Sequence, residues 1–305
     1  MPKERLVVIL GPTATGKSCC GIELAQRFNG EIISGDSMLV YRNMNIGTAK
    51  PSEQELQLVP HHLVNILPPD ASYSVADFQQ QAAELIRQIT ERGNLPIVVG
   101  GTGLYIKALL EGYRFSSVEE NPELRRKLEA FAAEKGNDKL FEWLEKEDLT
   151  AAARLHPNDV RRVVRALETA LSGDSVSQEK QQELKYDVTV FGLSMDRDFL
   201  YERINRRVDQ MLAEGLEEEV RSLLQEGVPP DCLSMKSLGY RQMAEYLTGK
   251  CDYATAVDNI KKGTRHFAKR QITWYKKMPY IQWFTVGRDL NYKKIVADMA
   301  DTLEK

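Results

Sequence analysis

The strongest constraint on the fold is the segment of residues 5–18, which reads RLVVILGPTATGKS. Leu6–Leu10 is a short apolar run, mostly β-branched, and such runs are typical of a buried strand in a parallel sheet. Gly11–Ser18 then matches the pattern G-x-x-x-x-G-K-[ST], and Gly16–Phe28 has helical character. A strand, a glycine loop and a helix in this order predict an α/β fold that holds a phosphate group at the loop.

The loop residues suggest how that phosphate is held. Glycines let backbone N–H groups turn towards one anion, and the following helix presents its positive end to the same point. Lys17 supplies a point charge and the Ser18 hydroxyl is a candidate Mg²⁺ ligand. The whole predicted anion site comprises Gly11, Pro12, Thr13, Ala14, Thr15, Gly16, Lys17 and Ser18.

The loop pattern does not identify the phosphate compound. Nucleotide kinases, NTPases and transferases that use other diphosphates can share it. An enzyme that hydrolyses a nucleoside triphosphate would also need an acidic residue at the end of an apolar strand, to hold the metal. The apolar segment LPIVVGGTG ends in glycines instead, which counts against such an enzyme.

Strand and helix patterns alternate along most of the chain, which predicts a parallel sheet with helices on its faces. Strands are predicted at Leu6–Leu10, Glu31–Ser34, Leu95–Val99, Tyr186–Met195 and Ile281–Val286. Helices are predicted at Gly16–Phe28, Val75–Arg92, Leu104–Glu111, Phe199–Glu214, Leu216–Glu226, Tyr240–Thr248, Tyr253–Lys277 and Tyr292–Leu303.

The character of the chain changes between residues 117 and 185, where charged residues recur with helical period and no strand pattern is found. NPELRRKLEAFAAEKG opens with Asn-Pro, which is typical of a helix start, and SGDSVSQEKQQELK predicts a polar surface connection. We therefore expect a P-loop NTPase-like core domain formed by residues 1–116 and 186–305, with residues 117–185 as a helical insertion domain.

Asp36 and Ser37 follow the second predicted strand directly. In an open parallel sheet the carboxyl ends of the strands face the ligand crevice, so Asp36 is expected close to the phosphate loop. It could act as a general base towards a substrate N–H or O–H, or as an outer ligand of the metal. A turn or helix cap is the plainer alternative. Lys50, in the following IGTAKP segment, is a further candidate for contact with the anion.

Charge and cysteine content limit the partners and the compartment. The formal net charge is -3, so any nucleic-acid partner must meet a local basic patch. Cys19, Cys20, Cys232 and Cys251 lack metal-ligand spacing and are expected to be reduced thiols. The apolar run near the start is too short for a signal peptide, and no run approaches the ~20 residues of a membrane span. We expect a cytoplasmic protein with no membrane partner.

One basic patch is visible in the segment KKGTRHFAKRQITWYKK, Lys261–Lys277, which has seven Lys or Arg residues and no acidic residue. Lys262, Arg265 and Lys269 recur at helical spacing, so one helix face is basic and suited to RNA phosphates. The aromatic residues of this segment are expected to pack in the core rather than stack on bases; they are Phe267, Trp274 and Tyr275.

Seven ordered blocks of this sequence resemble the tRNA dimethylallyltransferase (tRNA isopentenyltransferase) family. They are GPTATGKS, DSMLVYRNMNIGTAKP, VGGTGLYIKALLEGY, AARLHPNDVRRVVRALE, LYERINRRVDQMLAEGLEEEV, SLGYRQMAEYL and RHFAKRQITWYKK. Together they run from about residue 6 to about residue 285, which is nearly the whole chain. One departure is Leu39, which stands where the family often has glutamine.

The resemblance implies transfer of a dimethylallyl group from dimethylallyl diphosphate to N6 of adenosine 37, beside the tRNA anticodon. The glycine loop then holds a diphosphate, with Mg²⁺ as cofactor, rather than ATP. Asp36 is the expected base, because an exocyclic purine amine gains from losing a proton as its new bond forms. Arg207 and Arg203, four residues apart on one helix, are implied diphosphate contacts. Thr102 is implied at the reaction centre, although read alone it is equally a helix cap.

The resemblance also implies the tRNA-binding surface. A target base stacked in the anticodon stem-loop has to be flipped out to reach a buried carboxylate. The helical insertion is expected to clamp the stem from outside, and a monomer is expected for an enzyme that holds one tRNA. The implied tRNA-binding residues are Asp36, Ser37, Met38, Leu39, Thr102, Arg125, Arg161, Arg162, Val163, Val164, Arg165, Lys236, Gly239, Tyr240 and Arg241.

Three other functions fit parts of the sequence. A small-molecule or nucleotide kinase could use the same loop, but it would leave the basic C-terminal helix unexplained. A non-catalytic RNA-binding protein could use the loop to sense a nucleotide, and Asp36 would then have no chemical role. An adenylate isopentenyltransferase would act on free AMP, and would need neither the insertion nor the basic stretches.

Overall fold

The computed structural model of this chain describes residues 3–113, 115, 121–173 and 183–305. The chain forms two compact units, Met1–Leu110 together with Leu184–Lys305, and Glu111–Glu183. These boundaries differ by a few residues from the ones expected from sequence. The expected boundary between residues 116 and 117 and most of the polar connection, residues 172–185, lie outside the described residues.

The elements follow one another in the order expected for an α/β protein. The first part of the chain contains β1 (Arg5–Leu10), α1 (Lys17–Arg27), β2 (Gly30–Ser34), α2 (Glu53–Leu58), β3 (His61–His62), α3 (Val75–Glu91), β4 (Leu95–Gly100) and α4 (Gly103–Glu111). Then come α5 (Pro122–Lys135), α6 (Asn137–Glu147), α7 (Leu149–Ala152) and α8 (Val160–Leu171). The last part contains β5 (Asp187–Met195), α9 (Arg197–Ala213), α10 (Leu216–Gln225), α11 (Tyr240–Leu247), α12 (Tyr253–Tyr275), β6 (Ile281–Val286) and α13 (Tyr292–Leu303).

The six strands pair in parallel in the order β3-β2-β4-β1-β5-β6. β1 is therefore central, with Val8 in register with Val98 of β4 and with Val190 of β5. Because all strands run the same way, the carboxyl ends of β1, β2 and β4 share one edge of the sheet. The predicted α/β class with a parallel sheet is confirmed.

Helices cover both faces of this sheet, and the alternation of side chains along β1 shows it. Leu6, Val8 and Leu10 are buried in one cluster with residues of α3 and α4, including Phe78 and Leu109. The intervening Val7 and Ile9 are buried in a second cluster with residues of α1 and α13. A strand buried on both faces has to be apolar at every position, which explains the unbroken run in the sequence.

In the described residues of the second unit every regular element is a helix, and α5–α8 enclose their own core. Asn121 caps α5, since its side chain accepts the Leu124 N–H at 3.0 Å, and Pro122 occupies the first turn. The predicted Asn-Pro helix start is therefore confirmed. The core of this unit consists of Leu128, Ala132, Leu140, Leu144, Ala151, Ala152, Val163, Val164, Ala166 and Leu167.

Outside the helical insertion, two of the described elements were not predicted from the sequence. α2 has only six residues and is held by a capping box between Ser52 and Glu55. β3 has two residues and becomes a strand only because it pairs with Ile32 and Ile33 of β2. Neither is long enough to produce a hydrophobic period. Along the described part of the chain, no helix combines the length and the apolar character required to cross a membrane.

At the amino end of β2, Glu31 joins the edge strand to the end of α3. Its buried carboxylate accepts hydrogen bonds from Arg92 at 2.7 Å and Asn94 at 2.8 Å, and it bonds the His62 ring at 2.6 Å. Burial alone would raise the pKa of Glu31, but these hydrogen bonds outweigh it and lower the pKa to about 2. The charged form is therefore the one that the fold stabilises.

We predict that Glu31→Gln lowers the free energy of unfolding at pH 7 by roughly 1 to 3 kcal/mol, because one pKa unit corresponds to about 1.4 kcal/mol. Since the folded-state pKa of Glu31 lies below its ordinary 4.5, this stabilisation is complete above that value and is lost as the pH falls towards 2. Urea unfolding at pH 7 and at pH 3 measures the difference. The exposed Glu84, paired with Arg87, gives the control Glu84→Gln. An equal effect of both variants at pH 7 contradicts the assignment.

Candidate active site

The glycine loop connects β1 to α1 and turns through two left-handed residues. Ala14 has φ +65° and Gly16 has φ +90°. A Cβ at Gly16 would come within 2.4 Å of the Tyr292 ring, so the position has no room for a side chain. This turn brings the backbone of residues 11–16 round the start of α1, as a phosphate cradle requires.

Lys17 is the first residue of α1 and lies over the loop. Its Nζ donates to the Pro12 carbonyl at 2.9 Å, and the Thr15 hydroxyl donates to the same oxygen at 2.8 Å. Burial and then the nearby Arg207 lower the pKa of Lys17 to about 8, against the opposing effect of Asp36. A half-buried cation beside a second cation favours binding of an anion, which would restore the charged form.

Asp36 lies just beyond β2, at the same sheet edge as the loop. Its Oδ1 accepts the Met38 N–H at 2.9 Å, so the turn role considered from the sequence is present in the structure. Burial raises the pKa of Asp36 even though Met38, Lys17 and Arg207 each act to lower it. A carboxylate with a raised pKa takes up a proton more readily than an ordinary aspartate, which suits a general base.

Thr102 follows β4 and connects the ends of two strands. Its Oγ1 accepts the Ser37 N–H and its own N–H donates to the Gly35 carbonyl, both at 3.2 Å. Its carbonyl accepts the Ile106 N–H at the start of α4, so it also occupies the cap position. Gly100 allows the close approach, because a Cβ there would lie 2.3 Å from Gly35. Asp36, Ser37 and Thr102 are thus brought together.

Two arginines of α9 face the glycine loop. Arg203 Nε donates to the Ala14 carbonyl at 2.9 Å. Burial lowers the pKa of Arg207, while its interaction with Asp36 raises it and that with Arg203 lowers it. Both side chains line a cavity of about 770 Å³ together with Arg206 and Lys50. Arg206 was not identified from the sequence, although it lies within the same ERINRRVDQM segment.

Lys50 is committed to the fold of its own loop. Its Nζ donates to the Tyr41 carbonyl at 2.6 Å and to the side-chain oxygens of Asn45 and Asn65 at 3.0 and 2.6 Å. Those three bonds use all three donors of an ammonium group. Burial lowers the pKa of Lys50 to about 8. Its expected contact with the anion therefore requires that one of these bonds be given up.

α12 supports the loop from behind, through two residues that sequence analysis did not assign to the site. The buried Gln271 accepts the Thr13 N–H at 3.0 Å and donates to the Gly101 carbonyl at 2.9 Å. The Tyr275 hydroxyl shares its single proton between the Gly101 carbonyl at 2.8 Å and the Gly11 carbonyl at 3.2 Å. The available signal was an uncharged polar pair at i and i+4 within a basic helix. Tyr275 packs in the core as expected.

The residues around Asp36 differ in what they offer to an RNA. Ser37, Met38 and Leu39 are half-buried. The Leu39 carbonyl accepts the Asn65 N–H at 3.0 Å, so its backbone fixes the loop. The Leu39 side chain is apolar and cannot replace the hydrogen bonds of the glutamine frequent in the family.

The segment before α11 provides exposed cations around a buried anchor. Lys236 and Arg241 are exposed, as expected for RNA contact. Gly239 is buried and its N–H donates to Gln242. Tyr240 is fully buried and its hydroxyl donates to Glu219, so its side chain has a structural role, and its contact with tRNA stays a prediction.

In the insertion, α8 presents its predicted RNA-binding residues in two directions. Arg161 and Arg162 are exposed. Val163 and Val164 are buried in the helical core, so their side chains are not exposed to RNA, and their part in tRNA binding stays a prediction. Helical geometry turns successive residues by about 100°, which separates the two pairs.

Arg125 and Arg165 converge on one buried carboxylate. Arg125 Nη2 lies 2.9 Å and Arg165 Nη1 2.5 Å from Glu168, whose side chain is fully buried. Burial acts to raise the pKa of Glu168, but hydrogen bonds from Arg125, the Asn121 N–H and Arg165 lower it overall. Both arginines therefore stabilise the insertion, whatever RNA contact they also make.

The donor atoms available for a metal are oxygens. Ser18 is exposed in the first turn of α1, immediately after Lys17. The described residues contain no cluster of three or more His, Cys, Asp or Glu side chains suited to a metal ion. Mg²⁺ is commonly held by one or two protein oxygens together with phosphate oxygens and water, so Ser18 fits this requirement.

Comparisons with known proteins identify the relatives of this chain. The family model described as IPP transferase matches residues 39–278, and the one described as isopentenyl transferase matches residues 4–67. A tRNA dimethylallyltransferase of Carboxydothermus hydrogenoformans is 49% identical over 291 residues, covering 94% of this chain and 93% of that protein.

Solved structures give the same result. The crystal structure of a full-length tRNA isopentenylpyrophosphate transferase from Bacillus halodurans is 45% identical, with a TM-score of 0.73, and the match covers 99% of this chain and 97% of that one. A eukaryotic dimethylallyltransferase acting on tRNA is 31% identical, with a TM-score of 0.84, covering 99% of this chain and 80% of that one. With a family model matched over residues 39–278 and such relatives, this chain belongs to the IPP transferase family.

Proposed function

We propose that this chain transfers the dimethylallyl group of dimethylallyl diphosphate to N6 of adenosine 37 of a tRNA and releases diphosphate. The observation that carries the proposal is the pairing, at one sheet edge, of a phosphate cradle with a carboxylate of raised pKa. The relatives named above are transferases of this kind, which supports the same reaction here.

The donor end of the reaction requires stabilisation of a leaving diphosphate. The bond between C1 of the dimethylallyl group and the bridging oxygen breaks, and its electron pair stays with the diphosphate. Loop N–H groups, Lys17 and the two arginines of α9 surround the position where this charge develops. Mg²⁺, held through Ser18, would supply additional positive charge to the diphosphate oxygens.

The acceptor end requires removal of a proton. As N6 forms its bond to C1, it becomes positively charged, and it returns to the neutral form by losing a proton to a base. Asp36 is that base in our proposal, and Thr102 fixes it by holding the Ser37 N–H. The cations Lys17 and Arg207 keep Asp36 ionised enough to accept the proton, while burial maintains its affinity for that proton.

The RNA is held by exposed cations in both units. We propose the anticodon stem-loop as the bound part, with its target adenosine flipped out of the stack. Arg161, Arg162, Lys236 and Arg241 are exposed and suited to phosphate contacts. We also propose that the protein works as a monomer, because one chain carries both the phosphate cradle and the carboxylate. Its proposed location is the cytoplasm.

The central experiment separates this reaction from the alternatives. The protein is mixed with Mg²⁺ and labelled dimethylallyl diphosphate, and either unmodified tRNA or AMP is added. Label on the tRNA supports the proposal, whereas label on AMP alone indicates an adenylate isopentenyltransferase. Phosphate transfer from ATP without prenyl transfer indicates a kinase, and RNA binding without any transfer indicates a non-catalytic protein.

We predict that Asp36→Asn lowers the transfer rate by about 10²- to 10⁴-fold and leaves tRNA affinity within about twofold. Asparagine keeps the oxygen that accepts the Met38 N–H but cannot take up the proton. Single-turnover transfer and filter binding measure the two effects. The exposed Asp70 gives the control Asp70→Asn, and full activity of the Asp36 variant contradicts the base assignment.

The rate should also depend on pH in a direction set by Asp36. The ordinary pKa of an aspartate is near 3.8, and burial raises that of Asp36. We therefore predict that acidification begins to lower the transfer rate at a higher pH than it would with an ordinary aspartate as the base. Single-turnover rates from pH 4 to pH 8 measure this. A rate that stays constant down to pH 4 argues against Asp36 as the base.

We predict that replacing Arg161 and Arg162 by alanine weakens tRNA binding and reduces the slope of log affinity against log salt by about 1 to 2. The exposed Lys293 and Lys294 of α13, replaced by alanine, give a control with the same change in net charge. Filter binding from 50 to 200 mM salt tests both. Equal losses for the two double variants would show that net charge alone matters.

A further inference from the structure

Tyr292 lies against the phosphate cradle although it belongs to the last helix. It is the first residue of α13, and a short turn presents it there: the Asn291 side chain accepts the Gly287 N–H at 3.0 Å, and Leu290 has φ +53°. A Cβ built on Gly16 would lie 2.4 Å from Tyr292 Cζ and 2.5 Å from Tyr292 Oη. The hydroxyl is therefore at the last glycine of the loop.

The ring is held in this place by the packing of α13 on α1. Ile295, Val296 and Met299 of α13 are buried in one cluster with Cys20 and Leu24 of α1, and the Tyr292 ring packs against that cluster. Because α1 begins at the cradle, the packing fixes Tyr292 relative to the loop. The ring cannot swing away without exposing part of this core.

The Tyr292 hydroxyl makes no hydrogen bond within the described part of the protein. Tyr292 Oη is buried, and no hydrogen-bond partner for it exists among the described residues. Such a group costs about 1 to 3 kcal/mol unless another molecule satisfies it. Burial raises the pKa of Tyr292, with Arg203 opposing, so the hydroxyl keeps its proton and remains a donor.

We propose that the Tyr292 hydroxyl is a further hydrogen-bond donor to the diphosphate of the prenyl donor, when this occupies the loop of residues 11–18. The inference rests on the proposed function, since it takes the diphosphate to lie in this loop. Gly16, which contacts the hydroxyl, is part of the predicted cradle, and Arg203 bonds the neighbouring Ala14. A neutral donor adds specificity for phosphate oxygens without adding another buried charge.

A purely structural Tyr292 would behave differently. In that case the ring would only fill space between Gly16 and α13, and removing the hydroxyl oxygen would leave diphosphate binding unchanged. The two roles are separated by the variant Tyr292→Phe, which keeps the ring. Loss of an unsatisfied buried hydroxyl should leave the stability without diphosphate the same or higher, while a lost bond to diphosphate should weaken binding.

The test measures binding of inorganic diphosphate in the presence of Mg²⁺ by calorimetry. We expect Tyr292→Phe to weaken this binding about 10- to 150-fold, the size of one hydrogen bond to a charged group. The melting temperature without diphosphate should be unchanged or higher, and the KM for dimethylallyl diphosphate should rise. Unchanged diphosphate affinity in the folded variant overturns the proposal.

Two further variants make the result specific. Tyr186, just before β5 and so at the opposite end of the sheet from the loop, also has a buried hydroxyl without a partner among the described residues. Tyr186→Phe should match Tyr292→Phe in stability and leave diphosphate binding unchanged. Lys17→Ala tests the loop itself: if it binds diphosphate normally, the proposed diphosphate site fails. If it loses binding and Tyr292→Phe does not, only the role of Tyr292 fails.

Discussion

The arrangement of the site depends on the hydrogen bonds by which α12 joins the glycine loop to the end of β4. Gln271 bonds both Thr13 and Gly101, and Tyr275 bonds both Gly11 and Gly101. These hydrogen bonds are buried, and breaking one of them would leave a buried polar group without a partner, which is costly. The glycine loop and the end of β4 are therefore held rigidly together. The position of the cradle relative to the edge that carries Asp36 is fixed in this way.

That rigid edge explains how opposite charges can be buried side by side. Lys17 and Arg207 are cations whose pKa values fall on burial, and Asp36 is a carboxylate whose pKa rises. Each is therefore pushed towards its neutral form by burial. Asp36 partly restores the charge of both cations and they partly restore its charge, whereas Arg207 pushes Lys17 further towards neutrality. A diphosphate with its metal adds negative and positive charge at once. The bound diphosphate and metal can then favour the charged form of Lys17 without abolishing the basicity of Asp36.

Features that depend on local sequence patterns could be predicted from the sequence, whereas contacts between residues far apart in the chain could not. The parallel sheet, the loop before Lys17, and the common edge of Asp36 and Thr102 followed from apolar runs and their order. The partners of Gln271 lie 170 and 258 residues away in the chain, and no period reports such a pairing. The same holds for Tyr292, which reads as an ordinary residue at the start of the last helix.

Counting basic residues in a sequence also overestimates how many of them are exposed to bind RNA. Of the charged residues in VRRVVRALE, Arg165 is drawn inward by Glu168, whereas Arg161 and Arg162 remain exposed. The carboxylate of Glu168 is fully buried and would be costly without its two arginines, so Arg125 and Arg165 are needed before any RNA arrives. α8 thus uses Arg165, together with Arg125 of α5, to neutralise Glu168, and it leaves Arg161 and Arg162 exposed for the proposed phosphate contacts. Only the fold of the insertion tells the two sets apart, because all four side chains have the same charge.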